Sequence, residues 1–232
     1  MGKVVLVGSQ KSDIGKTIIC IKSGMMLAKE GKKVLLVDLS SGKKKMSEYL
    51  NVNEDIIYDI KDVLDTTCSL DQAIIEINES LSLLPCPRIA GKLNEIKMEE
   101  FSKLFSNTIK DYDIIIADVD KVSNSYIDFK LTNVIVSVNN NDFSCIKEIN
   151  SDKNIARKYN VESIFAVLNK YNKKKAKNGA MMNTRDIQKM TELNMDLIIE
   201  ENLKYINADY DFLFKGEDNS FNKVIESLTS KI

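Results

Sequence analysis

With 232 residues, 44% hydrophobic and 29% charged, the chain is long enough for one sizeable buried core and too apolar to stay disordered. Its net charge of −1 gives no overall bias toward nucleic acid, and apolar runs such as VVLV and IIIA are strand-sized, too short to span a bilayer. The absence of histidine removes Ser-His and Cys-His catalysis and the commonest metal ligand, leaving carboxylates, lysines and a bound metal–nucleotide to carry any chemistry.

The opening stretch MGKVVLVGSQ lacks a signal-peptide apolar core of adequate length, and Leu6 stands where myristoylation requires Ser or Thr. KVVLVG is an apolar run closed by glycine, the pattern of a buried strand. Residues 15–30 read as a helix with apolar positions at Ile18, Ile21, Met25 and Ala28, stopped by Gly31. KKVLLVDLS is a second buried strand, ending at Asp38, and IIYDIKDVLD and LDQAIIEI suggest short helices. LSLLPCP is a third strand, closed by Pro85 and Pro87. MEEFSKLFSNTIKDY is an amphipathic helix with Phe101, Leu104, Phe105 and Ile109 on one stripe. DIIIADVD and NVIVSV are the fourth and fifth strands, followed by a helix near 143–159 and a sixth strand, SIFAVLNK. TRDIQKMTEL is helical, MDLII strand-like, and FNKVIESLTSKI a closing helix with Phe221, Val224, Ile225, Leu228 and Ile232 on one face.

Continuous apolar strands alternating with amphipathic helices predict an α/β three-layer sandwich, a mostly parallel central sheet flanked by helices, in one domain over 1–232. Ligands of such sheets bind at the carboxyl ends of the strands. There Gly15-Lys16-Thr17 follows the first strand and opens a helix, the context of a phosphate-binding loop. Free amides at the helix start and the helix dipole attract phosphate. Lys16 would neutralise the β- and γ-phosphates and the Thr17 hydroxyl would ligate Mg²⁺. Asp118, ending the fourth strand, and Asp38, ending the second, are the further candidate metal residues; the plainer role for each is a loop aspartate capping a helix. No GxGxxG follows the first strand, which argues against a dehydrogenase. Cys20, Cys68, Cys86 and Cys145 form no CxxC pair and read as reduced, mostly buried thiols of a cytoplasmic protein.

KSDIGKT resembles the deviant phosphate loop of MinD/ParA-type ATPases, KGGxGK(S/T). The likeness extends over almost the whole chain through AKEGKKVLLVDLS, YDIKDVLDTTCSLDQAIIE, LSLLP, YDIIIADVD, LNKYN with GAMMNTRDI, and LIIEEN, which look most like MinD. The resemblance implies a P-loop fold that binds Mg-ATP and dimerises around two nucleotides, with the signature lysine, here Lys11, reaching the partner's phosphates. It places Gln10, Lys11, Ser12, Asp13, Ile14, Gly15, Lys16, Thr17 and Ile18 around the nucleotide, with Asn169 at the base. Lys11, Lys16 and Asp38 would carry the chemistry, and Thr17, Asp38 and Asp118 the metal.

The departures from the pattern bear on turnover. Gln10 replaces the first loop glycine, and Ser12 and Asp13 replace the next two. A non-glycine residue in the left-handed region costs roughly 1–2 kcal/mol, less for aspartate. A carboxylate about 5 Å from one phosphate charge repels it by roughly 3 kcal/mol at an effective dielectric of about 20. Ser40 replaces the family's second aspartate in the segment after the second strand, and Val119-Asp120 replaces the small residue and proline that usually follow the metal-binding aspartate. Binding parts are mostly retained and hydrolysis parts partly lost, so the expected activity is weak ATP hydrolysis in a dimerisation switch that positions a cellular assembly. The alternative is a non-hydrolysing adaptor acting through protein–protein contacts.

The resemblance ends near Ile232, before the amphipathic membrane tail that MinD-like proteins usually carry, and the last helix has a core-like stripe, so peripheral membrane association stays open as an alternative but has no support from this end of the chain. Lys43-Lys44-Lys45 and Lys173-Lys174-Lys175 with Lys177 are basic runs that could meet DNA nonspecifically; without interleaved aromatics they read as solvated loops. An ATP-dependent homodimer and an unidentified protein partner complete the expectations.

Overall fold

The computed structural model describes residues 2–9, 11–89, 91–215 and 219–232. Among them eight strands form one sheet: β1 (Lys3–Gly8), β2 (Val34–Leu39), β3 (Ile75–Asn78), β4 (Leu81–Leu84), β5 (Ile114–Val119), β6 (Val134–Asn139), β7 (Ser163–Tyr171) and β8 (Leu197–Glu200). Their order is β3-β4-β2-β5-β1-β6-β7-β8, and every neighbour pair is parallel except β3 with β4. The helices are α1 (Lys16–Lys29), α2 (Met46–Tyr49), α3 (Ile60–Leu64), α4 (Leu70–Ala73), α5 (Met98–Thr108), α6 (Cys145–Tyr159), α7 (Lys173–Lys177), α8 (Thr184–Thr191), α9 (Tyr210–Lys215) and α10 (Asn219–Thr229).

The central strands are buried along their whole length, and alternate residues serve opposite layers. Val5, Val7, Leu36, Ile116 and Val136 pack with Ile19 and Ile21 of α1 and with Phe221, Ile225 and Leu228 of α10. Val4, Leu6, Leu35, Val37 and Ile115 pack on the other side with Phe101 and Phe105 of α5. This is the expected sandwich. The apolar stripe of α10 is core: it covers α1, which is why α1 itself is buried over most of its circumference. No described helix is long and apolar enough to cross a membrane.

One reading of the sequence is corrected. LDQAIIEI was expected to be helical, but α4 ends at Ala73 and 75–78 form β3, an antiparallel edge strand with alternating exposure. The consecutive Ile74 and Ile75 suit a pleated edge better than a helix interior. The short helices α2, α7 and α9 carry too few residues for a readable period.

Candidate phosphate-binding site

The site lies where β1, β2, β5 and β7 end. The loop from Ser9 to Gly15 leaves β1 and enters α1 through Gly15, whose φ of +89° only glycine adopts without strain. A Cβ there would stand 2.4 Å from Nδ2 of Asn169, so the position is closed to side chains on two counts. Asp13 also adopts a left-handed backbone, at φ +55°, and is exposed. Gln10 lies outside the described residues.

Lys16 is buried and its ammonium donates to the Lys11 carbonyl at 3.3 Å, a long bond. The Lys11 amide donates to Ser9 Oγ at 3.0 Å, and the Lys11 ammonium pairs with Asp142 in the loop after β6. Thr17 Oγ1 donates to Asp118 Oδ2 at 2.6 Å. The other Asp118 oxygen, Oδ1, is buried without a partner. Burial and the nearby Asp38 carboxylate push the Asp118 carboxyl up to about 7, against the pull of the Thr17 hydroxyl and the Lys16 ammonium.

Asp38 and Asp118 are register partners on adjacent strands, but their carboxylates serve different groups. Asp38 Oδ1 accepts from the Ser40 amide at 3.1 Å and the Ser40 hydroxyl at 3.0 Å, and Oδ2 accepts from the Met46 amide at 3.0 Å. Asp38 therefore organises the segment between β2 and α2, while Asp118 faces α1. Asp120 has both oxygens on the Ser41 amide, at 3.0 and 3.1 Å, fixing that segment from the other side. Cys86 is buried beside Asp38 and Lys45; burial, then the Asp38 charge, push its thiol up to about 12, so it stays protonated and inert.

A cavity of about 540 Å³ opens above this loop, within the range of small-molecule sites. Ser12, Asp13, Ile14, Gly15, Lys16, Thr17 and Ile18 form its floor, Ser40, Ser41, Lys44 and Asp120 one wall, and Asn169 and Lys170 another. Tyr49, Ile199, Tyr205, Ile206 and Phe221 give it an apolar end. Of the residues singled out in the sequence, Lys11, Asp38 and Asp118 do not line this cavity; they stand behind or beside the loop. Sequence reasoning missed Asp142, Lys170 and the apolar end. Asp142 and Lys170 carried a signal, since Asp142 follows the end of β6 and Lys170 is the last residue but one of β7, whereas Tyr205 and Phe221 arrive from a segment with no strand to place it.

A family model for the CobQ/CobB/MinD/ParA nucleotide binding domain matches residues 5–210. The septum site-determining protein MinD of Thermotoga maritima is 27% identical over 218 residues, covering 90% of this chain and 79% of that protein. The fold superimposes on MinD cell division protein in a MinC:MinD complex from Aquifex aeolicus with a TM-score of 0.81 at 24% identity, over 99% of this chain and 95% of that one. It also superimposes on MinD complexed with Mg-ADP from Pyrococcus horikoshii with a TM-score of 0.77 at 18% identity, over 98% and 96%. Since the match runs from β1, ahead of the phosphate loop, to the start of α9, the chain belongs to the CobQ/CobB/MinD/ParA nucleotide-binding family.

Proposed function

We propose that the chain is a MinD/ParA-like switch that binds Mg-ATP in the cytoplasm, dimerises with nucleotide bound, hydrolyses it weakly and positions a larger cellular assembly. The observation that carries this reading is the Thr17–Asp118 pair at the start of α1, with a buried Asp118 oxygen left without a donor. A hydroxyl and a carboxylate are hard oxygen donors that fit Mg²⁺, and an acceptor with nothing to accept fits a cation. Thr17 and Asp118 would hold the ion, Asp38 standing behind them. Mg²⁺ there would neutralise phosphate charge.

The chain's own residues do the rest. The amides of Gly15 to Ile18 face phosphate at the positive end of α1. Lys16 gives up its long bond to the Lys11 carbonyl for a phosphate oxygen. Asn169, already packed on Gly15, stands at the base. Lys11 would leave Asp142 to reach the nucleotide of a second subunit. Weak turnover follows from Ser40: its hydroxyl is spent on Asp38, and it brings no carboxylate to orient water. The solved MinC:MinD complex supports a protein partner in the same way. Lys44, Lys45 and Lys173 are engaged within the chain, on the Ala208 carbonyl, the Ser40 carbonyl and Glu200, which favours protein over DNA as partner. α10 is committed to the core, which argues against a membrane role for it.

A second reading, a non-hydrolysing adaptor, is favoured by Asp13, whose charge sits on the cavity floor. Titration calorimetry of Mg-ATP with wild type and Lys16→Ala separates them. Micromolar binding lost in the variant, with a dimer that forms only with ATP and fails in Lys11→Ala, supports the switch. No binding by the wild type, or a dimer indifferent to ATP, supports the adaptor.

A further inference from the structure

Successive residues of a strand point to opposite faces of its sheet. Asn169 and Lys170, at the end of β7, nevertheless both reach the phosphate loop. The Asn169 amide donates to the Ile14 carbonyl at 2.6 Å, and the Lys170 ammonium donates to the Asp13 carbonyl at 2.5 Å. The cause is local. Lys170 has a left-handed backbone, φ +53°, and the pairing of β7 with β8 shifts register between Leu168 and Tyr171. Such a bulge re-aims a side chain. Because a trans peptide directs its C=O and N–H oppositely, holding these two carbonyls on β7 aims the amides of Ile14 and Gly15 away from β7.

The two carbonyls belong to the loop's unusual stretch. Asp13 takes the left-handed conformation that an L-residue adopts at a cost. Its carboxylate adds negative charge to a floor meant for phosphate, and that charge is felt across the cavity at Tyr49, whose hydroxyl is pushed up by burial, then Glu48, then Asp13. The other two lysines of the loop are committed elsewhere, Lys11 to Asp142 and Lys16 to the Lys11 carbonyl.

We propose that Lys170 is the positioning residue that makes an aspartate workable at position 13: its ammonium holds the Asp13 carbonyl and offsets the Asp13 carboxylate where nucleotide phosphates approach. The charge half of this rests on the Mg-ATP reading; the clamp half does not.

The test uses wild type, Lys170→Ala, Lys170→Arg, Asp13→Gly and the double variant Lys170→Ala with Asp13→Gly. Hydrogen exchange of the nucleotide-free proteins reads the clamp. Lys170→Ala speeds exchange of the Ile19 amide, whose bond to the Gly15 carbonyl at 3.2 Å ties the loop to α1, by about tenfold, and Lys170→Arg restores it. Unchanged exchange overturns the clamp. Binding of a fluorescent ATP analogue with Mg²⁺ reads the charge. Lys170→Ala weakens it about tenfold in the wild-type background and less than about threefold beside Asp13→Gly, and the loss shrinks at high salt. Equal losses in both backgrounds overturn the compensation. Should neither wild type nor Asp13→Gly bind the analogue, the Mg-ATP reading falls with the compensation, and exchange alone decides the clamp.

Discussion

Thr17 donates its hydroxyl to one oxygen of Asp118 at 2.6 Å while the other oxygen of Asp118 is buried with nothing to accept from. An arrangement so poor for the nucleotide-free protein costs stability that a bound cation would return. Asp118 is held up to about 7, so its stabilising contribution is fully present below about pH 4 and lost as the pH rises through about 7. Asp118→Asn is expected to unfold at a higher temperature than wild type without nucleotide at pH 8, by an amount worth at least about 1 kcal/mol. The same variant should lose Mg²⁺-dependent nucleotide affinity by more than about tenfold. Thermal unfolding and a binding titration with and without Mg²⁺ check both halves; a variant less stable than wild type at pH 8 would count against the conflict between Asp38 and Asp118.

Gly15 is constrained by conformation and by its neighbour. Gly15→Ala places a methyl group 2.4 Å from Asn169 Nδ2 in a backbone region that costs roughly 1–2 kcal/mol. Urea unfolding should show at least that loss. Adding Asn169→Ala should recover part of it by removing the clash; strictly additive losses would show that the contact is not what closes the position.

Behind the loop, β6 and α6 enclose a polar seam. Ser137 Oγ donates to Asp152 Oδ2 at 2.6 Å, the Asn139 amide donates to Ser137 Oγ at 2.9 Å, and oxygens of Asn139, Glu148 and Asp152 are buried without donors. Burial pushes the Asp152 carboxyl up to about 6, helped by the Glu148 charge and opposed by Ser137. A raised carboxyl stabilises the fold below about pH 4 and ceases to do so as the pH passes about 6. Relative to wild type, Asp152→Asn should therefore be more stable at pH 8 than at pH 4, by about 2 kcal/mol in the difference between the two comparisons. Denaturant unfolding at both pH values measures it, and a pH-independent difference refutes it.

The last helix is structural. Ile225 is fully buried between α10 and α1, so Ile225→Ala should cost about 2–5 kcal/mol, and the exposed neighbour Lys223→Ala less than about 0.5 kcal/mol. A small loss at Ile225, by chemical denaturation, would show that α10 is held loosely enough to leave the domain.

Much of this molecule was legible in its residues. The buried strands announce themselves because a strand covered on both faces is apolar throughout, as in IIIA before Asp118. The phosphate loop could be found because a helix start that meets phosphate needs glycine, lysine and a hydroxyl at fixed spacing, here Gly15, Lys16 and Thr17. The left-handed strain at Asp13 was foreseeable from the residues it replaces, since backbone sterics are local. Tertiary structure alone decided what those residues touch. That Asp118 turns to Thr17, 101 positions away in the chain, depends on β5 lying beside β1, whereas the bonds of Asp38 to Ser40 and Met46 stay within eight residues. That Lys11 meets Asp142, and Lys170 the Asp13 carbonyl, depends on β6 lying beside β1 and β7 lying one strand further out, which brings together residues 131 and 157 positions apart in the chain. Local propensity and spacing act over a few residues; partnership of charges is set by which strand ends the sheet brings together.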